Sequence, residues 1–212
     1  ISLEKLEEDF DAVFIGVGAQ SGRNLPIKGF SETSGTTNAI EFLRSYEIQG
    51  DSFKIGKKVI VIGDGNVAMD VARLARRMGS ESTIISAVPR EEMNCYPDEF
   101  DDAIEEGAKV EYLTGTLEIL GNKNGIRGVK CAKMIKKEKG EEGWDAKIPF
   151  LRYKTTDEIF DIEADMVVAS IGQITDMKGF EDSIHENTSL LKLDKHMRVV
   201  GKEKVFGGGD AL

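Results

Sequence analysis

Cysteine is scarce. The 212-residue chain holds two, Cys95 and Cys131, far apart and in no C-x-x-C. That excludes a multi-cysteine metal site and a local cysteine-pair redox centre. Two isolated thiols fit a reducing cytoplasm. Histidine is as rare, with only His185 and His196, so a histidine-rich metal site is excluded too. No run reaches the roughly 18 apolar residues that a membrane-spanning helix needs, and no basic-then-apolar leader is present. Basic residues are outnumbered, giving a net charge of −10. That balance argues against a nucleic-acid partner, whose phosphates require a basic face. The chain starts at Ile1 and not at Met, and reads as a piece of something longer.

What is present is globular: 40% hydrophobic and 31% charged residues, enough for one large domain or one and a half small ones. Residues 12–17, AVFIGV, are a short apolar run closed by Gly18, the style of a strand buried on both faces. Residues 19–37 read as a loop. Thr37 and Asn38 can cap a helix AIEFLRSY with Ile40, Phe42 and Leu43 on its apolar side. Then come a strand over 58–62, a glycine turn, and a helix over about 66–78 with Val67, Val71, Leu74 and Met78 at helical spacing. Gly79 is its stop. A strand over 82–88, an acidic helix over 97–108 with Phe100, Ala103 and Ile104 inward, and a strand over 109–114 follow. The acids of that helix read as a solvated face.

Beyond 115 the pattern changes. Asn124-Gly125 between two alternating runs is a hairpin signal, and 136–147 reads as a long charged loop. Strands follow around 147–153 and 157–161, then a buried strand in ADMVVASIG, 164–172. Residues 173–195 read as irregular, and one short strand closes the chain. The order βαβαβ, meander, β points to an α/β fold: a Rossmann-like doubly wound parallel sheet with an inserted antiparallel meander.

One motif carries chemistry. Gly63-Asp64-Gly65-Asn66-Val67-Ala68 is a GxGxxA placed between an apolar strand and an amphipathic helix, with a second strand next. Gly63 allows the tight turn, Gly65 lets a pyrophosphate approach the backbone, and Ala68 lets helix and strand pack closely. The helix N-terminus offers free N–H groups to the phosphates, and Asn66 is placed to cap it. In such units an acid about 20 residues on takes the ribose 2′-hydroxyl of NAD, or an arginine takes the 2′-phosphate of NADP. Here stand Ser86, Ala87, Val88 and Pro89, then Arg90-Glu91-Glu92. Arg90 is the nearest cation; it reads equally as a phosphate ligand and as a solvated loop residue. Gly172 reads as a plain turn or as a close approach to the nicotinamide. Both cysteines read as inert thiols.

VIVIGDGNVAMDVARLARRMGS, PREEM, ADMVVASIGQITD and VFGGGDAL, in this order, resemble the small (beta) subunit of glutamate synthase. Its relatives include the flavin and pyridine-nucleotide part of dihydropyrimidine dehydrogenase. The resemblance runs from about 11 to 212. It implies a nicotinamide domain over 30–172 inserted into an incomplete FAD-binding domain. The flavin parts would be 1–29, ending in a strand and Gly18, and 173–212, with Gly209 and Asp210 on FAD oxygens. It further implies hydride passing from NAD(P)H to FAD, an iron–sulfur cluster in a segment upstream of Ile1, and a large catalytic or electron-accepting subunit as partner. The family's strand usually ends in an aromatic and two basic residues where Ser86, Ala87 and Val88 stand, so the expectation leans to NADH. A piece with half a flavin site should be inactive alone. Its strands 12–17 and 204–207 would form a ribbon with uncovered apolar faces and free edges, which invite a homodimer. A second reading keeps the nucleotide turn without redox chemistry, as a Rossmann binding or scaffold module. FAD in the complete protein distinguishes the two.

Overall fold

The computed structural model describes residues 2–180 and 190–212. Two compact units result, one over Ile1–Gly22 and Gly172–Leu212, the other over Arg23–Ile171. In chain order the elements are α1 (Leu3–Asp9), β1 (Val13–Ile15), β2 (Ser21–Gly22), β3 (Thr36–Asn38), α2 (Ala39–Gln49), β4 (Lys58–Ile62), α3 (Asn66–Arg77), β5 (Glu81–Ile85), α4 (Pro97–Glu105), β6 (Lys109–Glu111), β7 (Thr114–Asn122), β8 (Gly125–Lys136), β9 (Tyr153–Glu163), β10 (Met166–Ala169), β11 (Gln173–Ile174) and β12 (Val205–Gly207).

The central unit is a five-stranded sheet in the order β3-β10-β4-β5-β6, parallel throughout. Because side chains alternate across a strand, each strand feeds two cores. Val59, Val61, Ile84 and Val168 pack with residues of α2, α3 and α4. Ile60, Ile62, Ile85, Val167 and Ala169 pack with Ile119, Val129 and Cys131 of the antiparallel meander β7-β8-β9. Helices cover one face and the meander the other, which is why KVIVI is buried from Val59 to Ile62. Residues 23–29 join this unit through Leu25 and Ile27, which pack on the meander-side core.

Asn38 caps α2, its side chain accepting from the N–H of Glu41. Helix α3 buries Ala68, Met69, Val71, Ala72 and Ala75. The expected row of Val67 and Leu74 lies at the edge of that face, only partly buried; the small alanines let the helix sit close to the sheet. Past its end, Gly79 takes φ +86°. Its N–H donates to the carbonyl of Arg76 (2.9 Å) and that of Ser80 to Ala75 (3.0 Å), the paired bonds that satisfy a helix C-terminus.

Several expectations are corrected. Thr36–Asn38, which overlaps the end of the supposed loop over 19–37, is a strand because it pairs with β10, which no local apolar pattern announces. Strand β5 stops at Ile85 rather than at 88, since the Ser86 hydroxyl bonds back to the backbone of Val88. On α4 the buried face holds Phe100 and Ala103, while Ile104 is 41% exposed on its flank. Its acids are not merely solvated. Arg73 pairs with Glu99, Asp102 and Glu106, and Arg77 also pairs with Glu106, tying α3 to α4. The hairpin turn is Lys123-Asn124, closed by Asn122 opposite Gly125, one residue earlier than the Asn-Gly signal. The two strands expected over 147–161 are one, β9, preceded by a 3-10 turn over Pro149–Arg152.

In the other unit, β1 and β12 pair in parallel and β2 pairs antiparallel with β11. Ile15 and Val205 are buried with Leu3, Met177, Leu191, Val199 and Ala211. One face of the ribbon is therefore covered within the unit, contrary to the expectation of two bare faces. The other carries Phe14, 67% exposed.

Candidate functional site

Parallel strands bring their C-terminal ends to one edge, and the glycine turn follows β4 there. The N–H of Ser170, just past β10, donates to the carbonyl of Ile62 (2.7 Å), and that of Gly63 to Ile85 of β5 (3.1 Å). Gly63 is thus stitched to the neighbouring strands. It has φ +132°, and a Cβ there would fall on the Ser170 carbonyl oxygen. Both conformation and space require glycine.

Gly65 is different. Its backbone (φ −88°, ψ 176°) suits any residue, and a Cβ on it would meet no atom within 4 Å. Nothing in the chain's own packing asks for glycine at 65. Its bareness leaves open space directly in front of the start of α3. No side chain caps that helix; the N–H groups of Ala68 and Met69 return to the Gly65 carbonyl (2.9 and 3.3 Å). The N–H groups before them are the orphan donors of a helix N-terminus, carrying its partial positive charge. Ala68 is fully buried, as close helix–strand packing demands.

The polar side chains of the turn hold a second segment. Contrary to expectation, Asn66 does not cap the helix; its Oδ1 accepts the N–H of Tyr96 (2.8 Å). Asp64 Oδ1 accepts from Asn94 Nδ2 (3.2 Å), and its Oδ2 lies 3.3 Å from the Ser86 hydroxyl. Residues 86–96 are therefore strapped to the turn at both ends. Ser86 and Val88 are buried, with Ala87 half-buried between them. The guanidinium of Arg90 stacks 3.8 Å above the Phe100 ring. Cys95 is buried, and burial raises its thiol, against the pull of Arg90. Asn94, Tyr96 and Ser170 were not foreseen. They reach the turn through contacts spanning 30 or more residues, which no local motif encodes.

The remaining predicted residues lie in the other unit. Gly18 (φ +67°) and Gly209 (φ +71°) follow β1 and β12, each with open space where a Cβ would stand. Gly172 takes φ +102°. Asp210 is exposed, and its carbonyl accepts from the Thr175 hydroxyl (2.9 Å). Among the described residues no group of three or more His, Cys, Asp or Glu could hold a metal ion, and no helix is long and apolar enough to cross a membrane. A cleft of about 510 Å³ opens beside Lys58 and Glu163, at the opposite end of β4 from the turn, and those two residues pair with each other there.

The family model for pyridine nucleotide-disulphide oxidoreductases matches residues 3–212. The chain belongs to this family. Among curated relatives, "NADP(+)-dependent formate dehydrogenase subunit beta" of Moorella thermoacetica is 30% identical over 215 residues, covering 100% of this chain and 30% of its own length. "NADPH-Fe(3+) oxidoreductase subunit beta" of Geobacter sulfurreducens is 33% identical over 223 residues, with 100% and 32% covered. "NAD-dependent dihydropyrimidine dehydrogenase subunit PreT" of Escherichia coli K12 is 34% identical over 136 residues, with 62% and 32% covered. The chain thus spans about a third of the length of the first two relatives. Two solved thioredoxin reductases share the fold. That of T. acidophilum has a TM-score of 0.69 at 22% identity, and that of Lactococcus lactis 0.68 at 20%; each match covers 94% of this chain and 57% of the other.

Proposed function

We propose that this chain is the nicotinamide-nucleotide-binding portion of a flavin-dependent oxidoreductase resembling the glutamate synthase small subunit. In this reading the turn Gly63–Ala68 holds the pyrophosphate of NAD(P)H. The observation that carries it is Gly65: a glycine with an ordinary backbone and open space where a Cβ would stand, placed before an uncapped helix start. A bare Cα there serves a ligand that must reach the backbone.

Gly18, Gly209 and Asp210 fit one side of a flavin site in the same way. Gly18 and Gly209 lie three and two residues past two parallel strands, each with open space where a Cβ would stand, and the exposed carboxylate of Asp210 stands next to Gly209 for hydroxyl oxygens. NAD(P)H and FAD, when bound, would supply the hydride chemistry, so the chain needs no general acid or base. Its residues bind and orient. The donors of α3 hold phosphate, the strap of Asp64 and Asn66 fixes 86–96 as a wall, and Gly63 fixes the turn. Family members named as beta subunits support a partner subunit that receives the electrons.

The test is a calorimetric titration of the chain with NADH and NADPH, beside a Gly65→Val variant. Micromolar binding that the variant loses, at an unchanged melting temperature, supports the reading. A folded wild-type chain that binds neither nucleotide sinks it.

A further inference from the structure

We infer that Asp64, reaching across from the glycine turn, is the residue that selects the ribose: its carboxylate accepts the 2′-hydroxyl of NADH and repels the 2′-phosphate of NADPH. The inference rests on the nucleotide reading above and deepens it.

In a strand–turn–helix–strand unit the 2′ position of the adenosine ribose faces the end of the second strand, about 20 residues past the glycines. Ser86 stands there, at the end of β5. It cannot do the selecting. A hydroxyl has one hydrogen to give, and the Ser86 hydroxyl is within 2.9 Å of the Val88 carbonyl while accepting the Val88 N–H at 3.2 Å. Its approach to Asp64 Oδ2 is the longer one, at 3.3 Å. The Asp64 carboxylate is therefore already at the 2′ position, brought by the turn and not by the strand.

It is also ready to act. Oδ1 is fixed by Asn94 at 3.2 Å, which sets the plane of the carboxylate. Each carboxylate oxygen has two acceptor sites, so Oδ2 keeps capacity for a ribose hydroxyl. No lysine or arginine among the described residues pairs with Asp64, so its charge is not spent. The one cation on this segment, Arg90, is held over Phe100. An unneutralised carboxylate makes a charge-assisted bond to a hydroxyl and repels a phosphate dianion at the same place.

The experiment titrates the chain and its Asp64→Asn variant with NADH and NADPH. Wild type should favour NADH, and Asp64→Asn should cut the preference by about tenfold or more, mostly by tighter NADPH binding. If Asp64→Asn does not fold, Asp64→Ser takes its place, which removes the charge and keeps a short polar side chain. An unchanged ratio of the two affinities, with binding retained, overturns the inference and leaves the nucleotide reading standing. So does a wild-type preference for NADPH. A wild-type chain that binds neither overturns both.

Discussion

Gly63 has the carbonyl oxygen of Ser170 where its side chain would be, while Gly65, two residues on, faces open space. The two glycines of one motif thus differ: the fold requires the first, while nothing in the chain's own packing requires the second, as the proposed nucleotide site expects. Gly63→Ala should cost about 1–3 kcal/mol, the scale of a residue forced into a sparsely populated backbone region. Gly65→Ala should shift stability by no more than about 0.5 kcal/mol, yet weaken nucleotide binding. Thermal melts and NADH titrations of both variants check this. Equal melting temperatures for the two would mean that β10 does not close on the turn.

Basic residues at the end of β5 should install a grip on NADPH, but only one position can carry one. Ala87 is half-buried, whereas Val88 is fully buried. Ala87→Arg should raise NADPH affinity by about three- to tenfold, below the full worth of a charge-assisted bond because solvent screens it. Val88→Arg would bury a charge without a partner and should lower the melting temperature while adding nothing. Titrating the single and double variants separates the two effects.

The glycine turn, β4 and α3 were legible in the sequence because their signals are local: a buried run, glycines at fixed offsets and a helical apolar period. The roles of the two turn side chains were not. Asn66 reads as a cap from its position, but it binds the backbone of Tyr96; Asp64 carries no local signal for Ser86 or Asn94. Strand β3 escaped for the same reason. Thr36, Thr37 and Asn38 have no apolar pattern and become a strand only because β10 lies beside them. Ile104 failed differently: Phe100 and Ala103 take the buried side of α4, Arg73 pairs with Glu99, Asp102 and Glu106 beside it, and Ile104 falls on the flank.

The thiols should be silent in the native state. Cys131 is buried and its thiol is pushed up to about 12, chiefly by burial and then by Asp161. Cys95 is also buried and raised. Only thiolates react quickly. With a thiol-specific disulfide reagent at pH 8, the native chain should show no fast phase, and the denatured chain should release the equivalent of both cysteines. Fast native reaction at Cys95 would mean that the strap from Asp64 and Asn66 opens readily.

Glu106 ties α3 to α4, and its contribution should depend on pH in one direction. Its carboxylate is held down at about 2 from an ordinary 4.5, first by the hydrogen bond from Arg77 and then by that from Arg73. A group lowered on folding stabilises the folded state fully above its unfolded value, and that stabilisation is lost as pH falls through the folded value. The window is therefore from about 4.5 down to about 2. Its partners stay charged throughout, because the hydrogen bonds to Glu106 raise both Arg73 and Arg77 above the already high arginine range. Glu106→Gln keeps the shape and removes the charge, so it should cost about 1 kcal/mol at pH 7. That gap should shrink as the wild-type carboxyl takes up its proton. Urea unfolding of both chains between pH 7 and pH 3 measures it. A gap that stays constant with pH would show that Glu106 acts through its packing between the helices and not through its charge.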